Sequence, residues 1–338
     1  MRFGIVGAGG IVNFFLNMSK EIEEIELEAI CSLPQDENKL IQLSKEHGIN
    51  NYYTDLDAML NSGTIDMVYI GVPNHVHYIY TKKALEADLN VVCEKPFTSN
   101  YDETKELIDI AVKNKLYLFE AVTTRYFPNT IKIKEDLNKL GDIKIVALNY
   151  SQYSSRYDVF KQGENIAAFD PKASGGALMD LNIYNINFVV FLFGKPLSVE
   201  YLANMERGID TSGILTLDYG KFKCVCIAAK DSKAPISATI QGDKGCINVE
   251  TSVNVLNEYK LSLNDKDSKN RYTVDDATTY NFNKEKNMMY YEFVEFIKII
   301  NSKNYEKVRE MLEITLITME IQTKARKQAG IIFHADEN

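Results

Sequence analysis

Short apolar runs alternate with amphipathic segments along the first third of the chain. Five such runs stand at residues 2–6, 27–31, 67–71, 89–93 and 116–121. Between them, apolar residues recur at spacings of three and four, which is typical of helices that bury one face. Strands of a parallel sheet are near-continuously apolar because helices cover both of their faces. The pattern therefore predicts an α/β fold that begins with a doubly wound parallel sheet.

The pattern changes after residue 121, where strands follow one another more closely. Alternating runs joined by short turns lie at residues 143–150, 213–218, 222–229, 236–241 and 245–250. They predict an α+β region with a large, mostly antiparallel open sheet. Helical spacing predicts one helix at residues 176–193 and two that close the chain near 289–300 and 308–319. The polar stretch 258–280 predicts an exposed hairpin or loop.

Length and charge narrow the class of protein. The 338 residues suit two domains, predicted at 1–121 and 122–338, with closing helices that can pack back on the first domain. A net charge of −9 disfavours a nucleic-acid partner, and the absence of an 18-residue apolar run disfavours a membrane partner. Five cysteines and no leader-like N-terminus predict a cytoplasmic protein. His75 and His77 have no third ligand beside them, so no metal is predicted.

The turn after the first strand is rich in glycine. Glycines let a chain turn tightly and bring helix N-terminal amides close to the diphosphate of a dinucleotide. The usual fingerprint has Gly or Ala at its sixth position, where this chain has Val12, and an ordinary glycine turn is the alternative. A position between a strand and a helix favours dinucleotide binding. The residues expected at the diphosphate are Gly7, Ala8, Gly9, Gly10 and Ile11.

Polar residues follow three further predicted strands, at the edge where parallel sheets bind ligands. Ser32 stands where NAD-binding proteins place an acidic residue, and it is either a cofactor contact or a polar strand end. Pro73 fixes the next turn, and Asn74 is either a cofactor contact or a helix cap. Glu94-Lys95-Pro96 follows the fourth strand. Charged residues in such a crevice are costly unless they are paired or functional, so this motif is predicted to be catalytic.

Three motifs in this order resemble the Gfo/Idh/MocA family, which includes glucose–fructose oxidoreductase and inositol dehydrogenase. They are Gly7-Ala8-Gly9, Pro73-Asn74 with His77, and Glu94-Lys95-Pro96. The resemblance covers nearly the whole chain, because residues 174–180 are similar to the family's Gly-Gly-Gly-x-Leu-x-Asp segment. It implies an N-terminal Rossmann domain that binds NAD(P) and a C-terminal α+β domain.

Within this family the chain is similar to the dimeric trans-dihydrodiol dehydrogenases and to glucose–fructose oxidoreductase. Those proteins have Tyr at the position of Tyr184, where His is usual. The resemblance implies that Lys95, Asp180 and Tyr184 are catalytic, and that Arg125, Asp180 and Tyr184 bind the substrate. A nearby Lys ammonium lowers the pKa of a phenol, which would let Tyr184 exchange protons near neutral pH. The spacing of four places Asp180 and Tyr184 on one face of a helix.

The predicted activity is hydride transfer between a nicotinamide and the hydroxyl or carbonyl carbon of a sugar, polyol or cyclic diol. Two alternatives remain, namely an NAD(P)-binding sensor or adaptor without turnover, and a reductase in which Tyr184 only packs. The cofactor is expected to be NADP or NAD, with NADP slightly favoured because Ser32 carries no charge to repel a 2′-phosphate. The residues expected to bind it are Gly7, Ala8, Gly9, Gly10, Ile11, Ser32, Pro73, Asn74, His77, Glu94 and Lys95.

The second sheet is predicted to be apolar on both faces. Cys224 and Cys226 lie on one face, while Val225 and Ile227 lie on the other. Helices of the same chain can cover only one of these faces, and a large apolar face in water is unfavourable. We therefore expect a homodimer or tetramer formed through this sheet. The other expected partner is a small-molecule substrate.

Overall fold

The computed structural model describes residues 1–264 and 277–337. Their contacts form two compact units. Unit 1 comprises Met1–Ala121 and Asn287–Met319, and unit 2 comprises Val122–Lys286 and Glu320–Asn338. The division into domains at 1–121 and 122–338 stays a prediction.

Six strands in the described part of unit 1 form one sheet. They are β1 (Arg2–Val6), β2 (Glu26–Cys31), β3 (Asn51–Tyr53), β4 (Met67–Ile70), β5 (Asn90–Glu94) and β6 (Leu118–Ala121). All pair in parallel in the order β3-β2-β1-β4-β5-β6, which confirms the predicted doubly wound sheet. The order reverses at β1, which pairs with β2 on one side and β4 on the other. Ligands of such sheets bind at the carboxyl ends of the strands beside the reversal.

Helices pack against this sheet through an aromatic cluster. Five of them lie in the first part of the chain: α1 (Gly10–Ser19), α2 (Glu37–His47), α3 (Leu56–Leu60), α4 (His77–Glu86) and α5 (Tyr101–Asn114). The ring of Phe15 on α1 stacks on Tyr69 of β4 at 4.2 Å between centroids. Phe293, from a later helix of unit 1, lies 5.0 Å from Phe15. This cluster fixes α1, and with it the glycine turn that precedes it.

Eight strands in the described part of unit 2 form the second sheet. They are β7 (Ile143–Ser151), β8 (Ser198–Glu206), β9 (Ile209–Asp218), β10 (Lys223–Ala229), β11 (Ser237–Gly242), β12 (Gly245–Val249), β13 (Tyr259–Leu263) and β14 (Thr278–Tyr280). Their order is β14-β13-β12-β11-β7-β10-β9-β8, and β7 and β10 run parallel while the other neighbours are antiparallel. This confirms the predicted mostly antiparallel sheet. In the predicted polar hairpin or loop, residues 265–276 lie outside the described residues.

The two faces of the second sheet differ in exposure. Cys224 and Cys226 on one face are at most 1% exposed, and α9 (Asn182–Phe193) packs on that side. Val225 and Ile227 on the other face are only half-buried. Both faces therefore carry apolar side chains at β10, as the sequence predicts. The remaining helices of the region are α6 (Pro128–Asp136), α7 (Ser155–Lys161) and α8 (Ala177–Asp180).

The prediction of one continuous helix at residues 176–193 is wrong. The chain breaks at Leu181, and Asn182–Phe193 is bent by 57° from Pro171–Asp180. Two different strands hold the two pieces. The amide N–H of Leu178 donates to Asp210 of β9 at 2.6 Å, whereas the side-chain amide of Asn182 donates to the Cys226 carbonyl of β10 at 3.1 Å.

Two helices close the described chain, α10 (Tyr290–Asn301) and α11 (Tyr305–Gln328), where the apolar spacing predicts them. Among the described residues, no single helix has both the length and the apolarity needed to cross a membrane. The bent pair Pro171–Asp180 and Asn182–Phe193 meets those two criteria only when its halves are taken together.

Candidate active site

The glycine turn after β1 has the geometry of a diphosphate cradle. Gly7 has φ +113°, and a Cβ there would lie 2.3 Å from the Gly71 carbonyl oxygen, so only glycine fits. No atom lies within 4 Å of a Cβ built at Gly9 or Gly10, so the backbone at the start of α1 faces open space. The first turn of α1 carries no acidic side chain, so the partial positive charge of the helix N-terminus is available to an anion.

Val12, the departure from the usual fingerprint, is accommodated by a second glycine. Its side chain is fully buried, and a Cβ at Gly71, after β4, would lie 2.9 Å from Val12 Cγ2. The valine side chain fits because Gly71, after β4, has no side chain of its own. In the usual fingerprint the smaller residue stands on α1 instead. The turn can keep its shape with valine at this position.

The end of β2 presents a carboxylate that the sequence pattern did not indicate. Ser32 Oγ donates to Asp36 Oδ2 at 2.6 Å. Asp36 ends the short 3-10 turn Pro34–Asp36, so it follows the last residue of β2 by five residues instead of occupying the strand end. A carboxylate at this edge is positioned to bind ribose hydroxyls and to repel a 2′-phosphate. Asp36 is thus a candidate cofactor contact, and the acidic residue shortly after the strand was its only sequence signal.

His77 connects the loops that follow β4 and β5. It is 1% exposed, its Nδ1 lies 2.8 Å from the Pro96 carbonyl oxygen, and its Nε2 lies 2.8 Å from that of Val72. Burial lowers the pKa of His77, which favours the neutral ring. His77 thus connects the Val72-Pro73 peptide with the Pro96-Phe97 peptide. A direct contact between His77 or Asn74 and a cofactor stays a prediction.

Glu94 and Lys95 stand at the carboxyl end of β5, next to β4 in the sheet. Glu94 is 6% exposed and accepts a hydrogen bond from the Tyr69 hydroxyl at 2.7 Å. Burial raises the pKa of Glu94 to about 7, although the Tyr69 hydrogen bond and the Lys95 charge both favour the carboxylate. Lys95 is half-buried. Glu94 thus places a carboxyl group that titrates near neutral pH directly beside the candidate catalytic lysine.

Glu94→Gln is expected to flatten the pH dependence of folding stability. A carboxyl whose pKa is higher in the folded state binds its proton more tightly there, so its stabilising contribution is present at acidic pH. That contribution falls as the pH rises from the usual carboxyl pKa of 4.5 towards 7, by roughly 3 kcal/mol in total. Chemical unfolding at several pH values checks this. Equal slopes of the unfolding free energy against pH for the wild type and Glu94→Gln would contradict this prediction. Glu86→Gln, at an exposed position, is the matched control.

Asp180 and Tyr184 lie on opposite sides of the bend at Leu181. Asp180 Oδ2 accepts a hydrogen bond from Lys230 Nζ at 2.8 Å, an ion pair whose carboxylate side chain is 39% exposed. Tyr184 is half-buried, and its ring lies 6.2 Å from that of Tyr150. Because the helix is broken between them, helical spacing does not set the relative orientation of Asp180 and Tyr184. Their catalytic roles stay predictions.

Arg125 lies in the interior of unit 2. It is 2% exposed, and its Nε donates to Asn187 Oδ1 at 2.8 Å, with Nη2 on the same oxygen. Asn187 in turn donates to the Ile183 carbonyl at 3.1 Å. Arg125 is therefore linked to the first turns of α9, next to Tyr184. Its contact with a substrate stays a prediction.

The two glycines before α8 are required by close contacts. A Cβ at Gly175 would lie 2.5 Å from the Ala167 carbonyl oxygen, and one at Gly176 would lie 2.1 Å from Asp210 Oδ1. Asp210 also accepts a hydrogen bond from Tyr201 at 2.7 Å, and burial raises the pKa of Asp210 to about 6. The sequence did not indicate Asp210 or Lys230, because their partners Leu178 and Asp180 lie 32 and 50 residues away along the chain.

Comparisons with known proteins agree on one family. The family described as "Oxidoreductase family, NAD-binding Rossmann fold" matches residues 1–122, and the GFO/IDH/MocA C-terminal domain matches residues 132–248. The chain is 33% identical to scyllo-inositol 2-dehydrogenase (NADP(+)) of Bacillus subtilis, covering 100% of this chain and 99% of that protein. It is 26% identical to trans-1,2-dihydrobenzene-1,2-diol dehydrogenase of Danio rerio, over 99% of both chains.

A solved structure shares the whole fold. The 3-ketoreductase of Actinomadura kijaniata, in complex with NADP and TDP-benzene, superimposes with a TM-score of 0.83 at 18% identity and covers 97% of both chains. The family models and the relatives confirm the predicted family over nearly the whole chain. The chain belongs to the Gfo/Idh/MocA family of NAD(P)-binding oxidoreductases.

Proposed function

We propose that this enzyme transfers a hydride between NAD(P) and the hydroxyl or carbonyl carbon of a polyol, sugar or cyclic diol. The observation that carries the proposal is the Glu94-Lys95-Pro96 motif at the end of β5, in the same sheet whose β1 leads into an open glycine turn. The substrate class is supported by relatives that are an inositol dehydrogenase and dihydrodiol dehydrogenases. Hydroxyl-bearing rings are common to both.

The residues of the glycine turn would hold the diphosphate of the cofactor through their backbone amides. When bound, the cofactor supplies the carbon that accepts or donates the hydride. The proton on the substrate oxygen must move separately. We infer that Tyr184 exchanges this proton, that Lys95 favours its phenolate, and that Asp180 accepts a hydrogen bond from a substrate hydroxyl.

A turnover panel tests the proposal. The panel contains scyllo-inositol, its ketone, an aldose and a trans-dihydrodiol, each assayed with both nicotinamide cofactors by the absorbance of the reduced ring. Oxidation of a cyclic polyol or diol, lost in Lys95→Ala, is the expected result. Cofactor binding without turnover of any ring hydroxyl or ketone would contradict the proposed substrate class.

We propose that NADP(H) is accepted with only a modest preference over NAD(H). A relative 33% identical over its full length is named as NADP-dependent, and the uncharged Ser32 is compatible with a 2′-phosphate. Leu33, half-exposed beside it, offers no cation to bind that phosphate. The negative charge of the Asp36 carboxylate, which lies 2.6 Å from Ser32 Oγ, disfavours binding of a 2′-phosphate. The preference is therefore the balance between these groups.

Asp36→Asn is expected to tighten NADPH binding relative to NADH by about tenfold, or about 1.4 kcal/mol. The reason is that the substitution removes a negative charge beside the 2′-phosphate position. Fluorescence titration of both reduced cofactors measures the ratio of Kd values. Glu37→Gln, an exposed acidic neighbour, is the matched control, and Ser32→Asp should shift the ratio towards NADH. An unchanged ratio in Asp36→Asn would remove Asp36 from cofactor selection.

We propose a cytoplasmic location. We also propose a homodimer or tetramer formed through the face of the second sheet that carries Val225 and Ile227, here called the outer face. All five cysteines are free thiols, and four of them are buried, which is usual in a reducing compartment. The outer face carries Leu202, Ile214 and Ile227 side by side, because each pairs with the next in register across β8, β9 and β10. An isologous contact between two such faces would cover them.

A further inference from the structure

Lys230, the residue directly after β10, is a buried cation that holds two separate segments. Its side chain is 2% exposed, and its Nζ donates to Asp180 Oδ2 at 2.8 Å and to the Ala168 carbonyl at 2.7 Å. The Nζ also lies 4.5 Å from the centre of the Phe169 ring, within cation–π range. One ammonium group therefore fixes the end of α8 and the turn at residues 168–169.

The backbone of Lys230 is fixed on both sides. Its amide N–H donates to the Thr211 carbonyl at 2.8 Å, and its carbonyl accepts from the Ser154 amide at 2.9 Å. Two other acidic residues lie near this part of the sheet, but each has its own partners. Asp210 accepts from the Leu178 amide, and Asp231 accepts from two hydroxyl groups on β9. Asp180 is thus the carboxylate that Lys230 contacts directly.

The two ends of this ion pair differ in exposure. Lys230 is 2% exposed, whereas the Asp180 side chain is 39% exposed. Burying an ammonium group is costly, and an apolar residue of similar volume is often no less stabilising than a buried ion pair. Stability is therefore a weak explanation for Lys230. The Asp180 carboxylate is the more exposed end of the pair.

The bend at Leu181 explains why Asp180 needs such a support. The helix α8 has only four residues, and Asp180 is the last of them. The chain changes direction immediately afterwards, so regular helical geometry does not fix the side chain as it would in a long helix. Lys230 reaches it from the sheet.

We propose that Lys230 is a positioning residue, which holds the Asp180 carboxylate in the orientation that binds a substrate hydroxyl. The inference rests on the proposed function, in which Asp180 contacts the substrate. Lys230 itself is too buried to touch the substrate. Its influence on the reaction passes through Asp180.

Lys230→Met tests the proposal, because methionine keeps the length of the side chain and removes the charge. The variant is expected to lower kcat/KM by about 10–100-fold, mostly through KM, while the Kd of the cofactor stays unchanged. The acidic limb of the kcat/KM profile should also move to higher pH, since Asp180 loses the cation that favours its ionised form. Lys233→Met, an exposed lysine three residues away, is the matched control. An unchanged kcat/KM and pH profile would overturn the proposal.

A double-mutant cycle separates positioning from general structural damage. In an Asp180→Asn background, Lys230→Met should cause little further loss, because the two residues act as one unit. A further loss as large as in the wild-type background would show that Lys230 acts by another route and would overturn the proposal. If Lys230→Met fails to fold, Lys230→Gln gives the same cycle, because it removes the charge and keeps a polar group at this position.

A crystal structure of Lys230→Met, or of Lys230→Gln, tests the positioning without any turnover. A displaced Asp180 side chain supports the proposal, and a carboxylate in its original place contradicts it. This readout separates two failures. If the substrate panel shows no activity, the proposed function fails, but the position of Asp180 still decides the role of Lys230.

Discussion

Replacing Tyr184 with phenylalanine is expected to lower kcat by about 10²–10⁴-fold, the usual contribution of a positioned acid or base. The substitution removes one hydroxyl and leaves the ring to pack as before, so folding and cofactor binding should be preserved. If Lys95 favours the Tyr184 phenolate, as proposed, Lys95→Ala should cause a loss of the same order. Steady-state kinetics with the best substrate of the panel measures both losses.

The double variant shows whether the two residues act together. If Lys95 works by activating Tyr184, the variant that combines both substitutions should be little slower than the slower single variant. Tyr150→Phe is the matched control, since it removes a hydroxyl from a ring whose centre lies 6.2 Å from that of Tyr184. Near-normal turnover by Tyr184→Phe would mean that another group moves the proton. Multiplied losses in the double variant would mean that Lys95 and Tyr184 act independently.

The fold could be predicted because its signals are local. Each central strand of the first sheet is a short apolar run, and Gly7 stands where only glycine fits, with φ +113°. The strand Asn51–Tyr53 gave no such signal, because its three residues lie at the sheet edge and two of them are tyrosines. The strand Ser198–Glu206 was missed because it also lies at a sheet edge, where exposed polar residues interrupt its apolar pattern.

The supporting residues of the candidate site could not be predicted, because their contacts are distant in sequence. Lys230 and Asp180 are 50 residues apart, and nothing in the run around either of them indicates an ion pair. The break at Leu181 was hidden because the apolar pattern continues through it, while Leu178 and Asn182 on its two sides form hydrogen bonds to different strands. Motif resemblance predicts the reacting groups, whereas the tertiary structure was needed to find the residues that contact them.

Placing lysine at both Leu202 and Ile214 is expected to convert the oligomer into a monomer. These side chains are 64% and 43% exposed, they face each other across β8 and β9, and Ile227 extends the same row. In a symmetric contact each face meets its own copy, so two substitutions place four like charges in one desolvated interface. Light scattering at micromolar concentration should show a dimer or tetramer for the wild type and a monomer for Leu202→Lys/Ile214→Lys. Ile79→Lys, at a 52% exposed position on α4, is the control that should leave the assembly intact. A monomeric wild type would rule out the interface, and an unchanged oligomer in the double variant would place it on another surface.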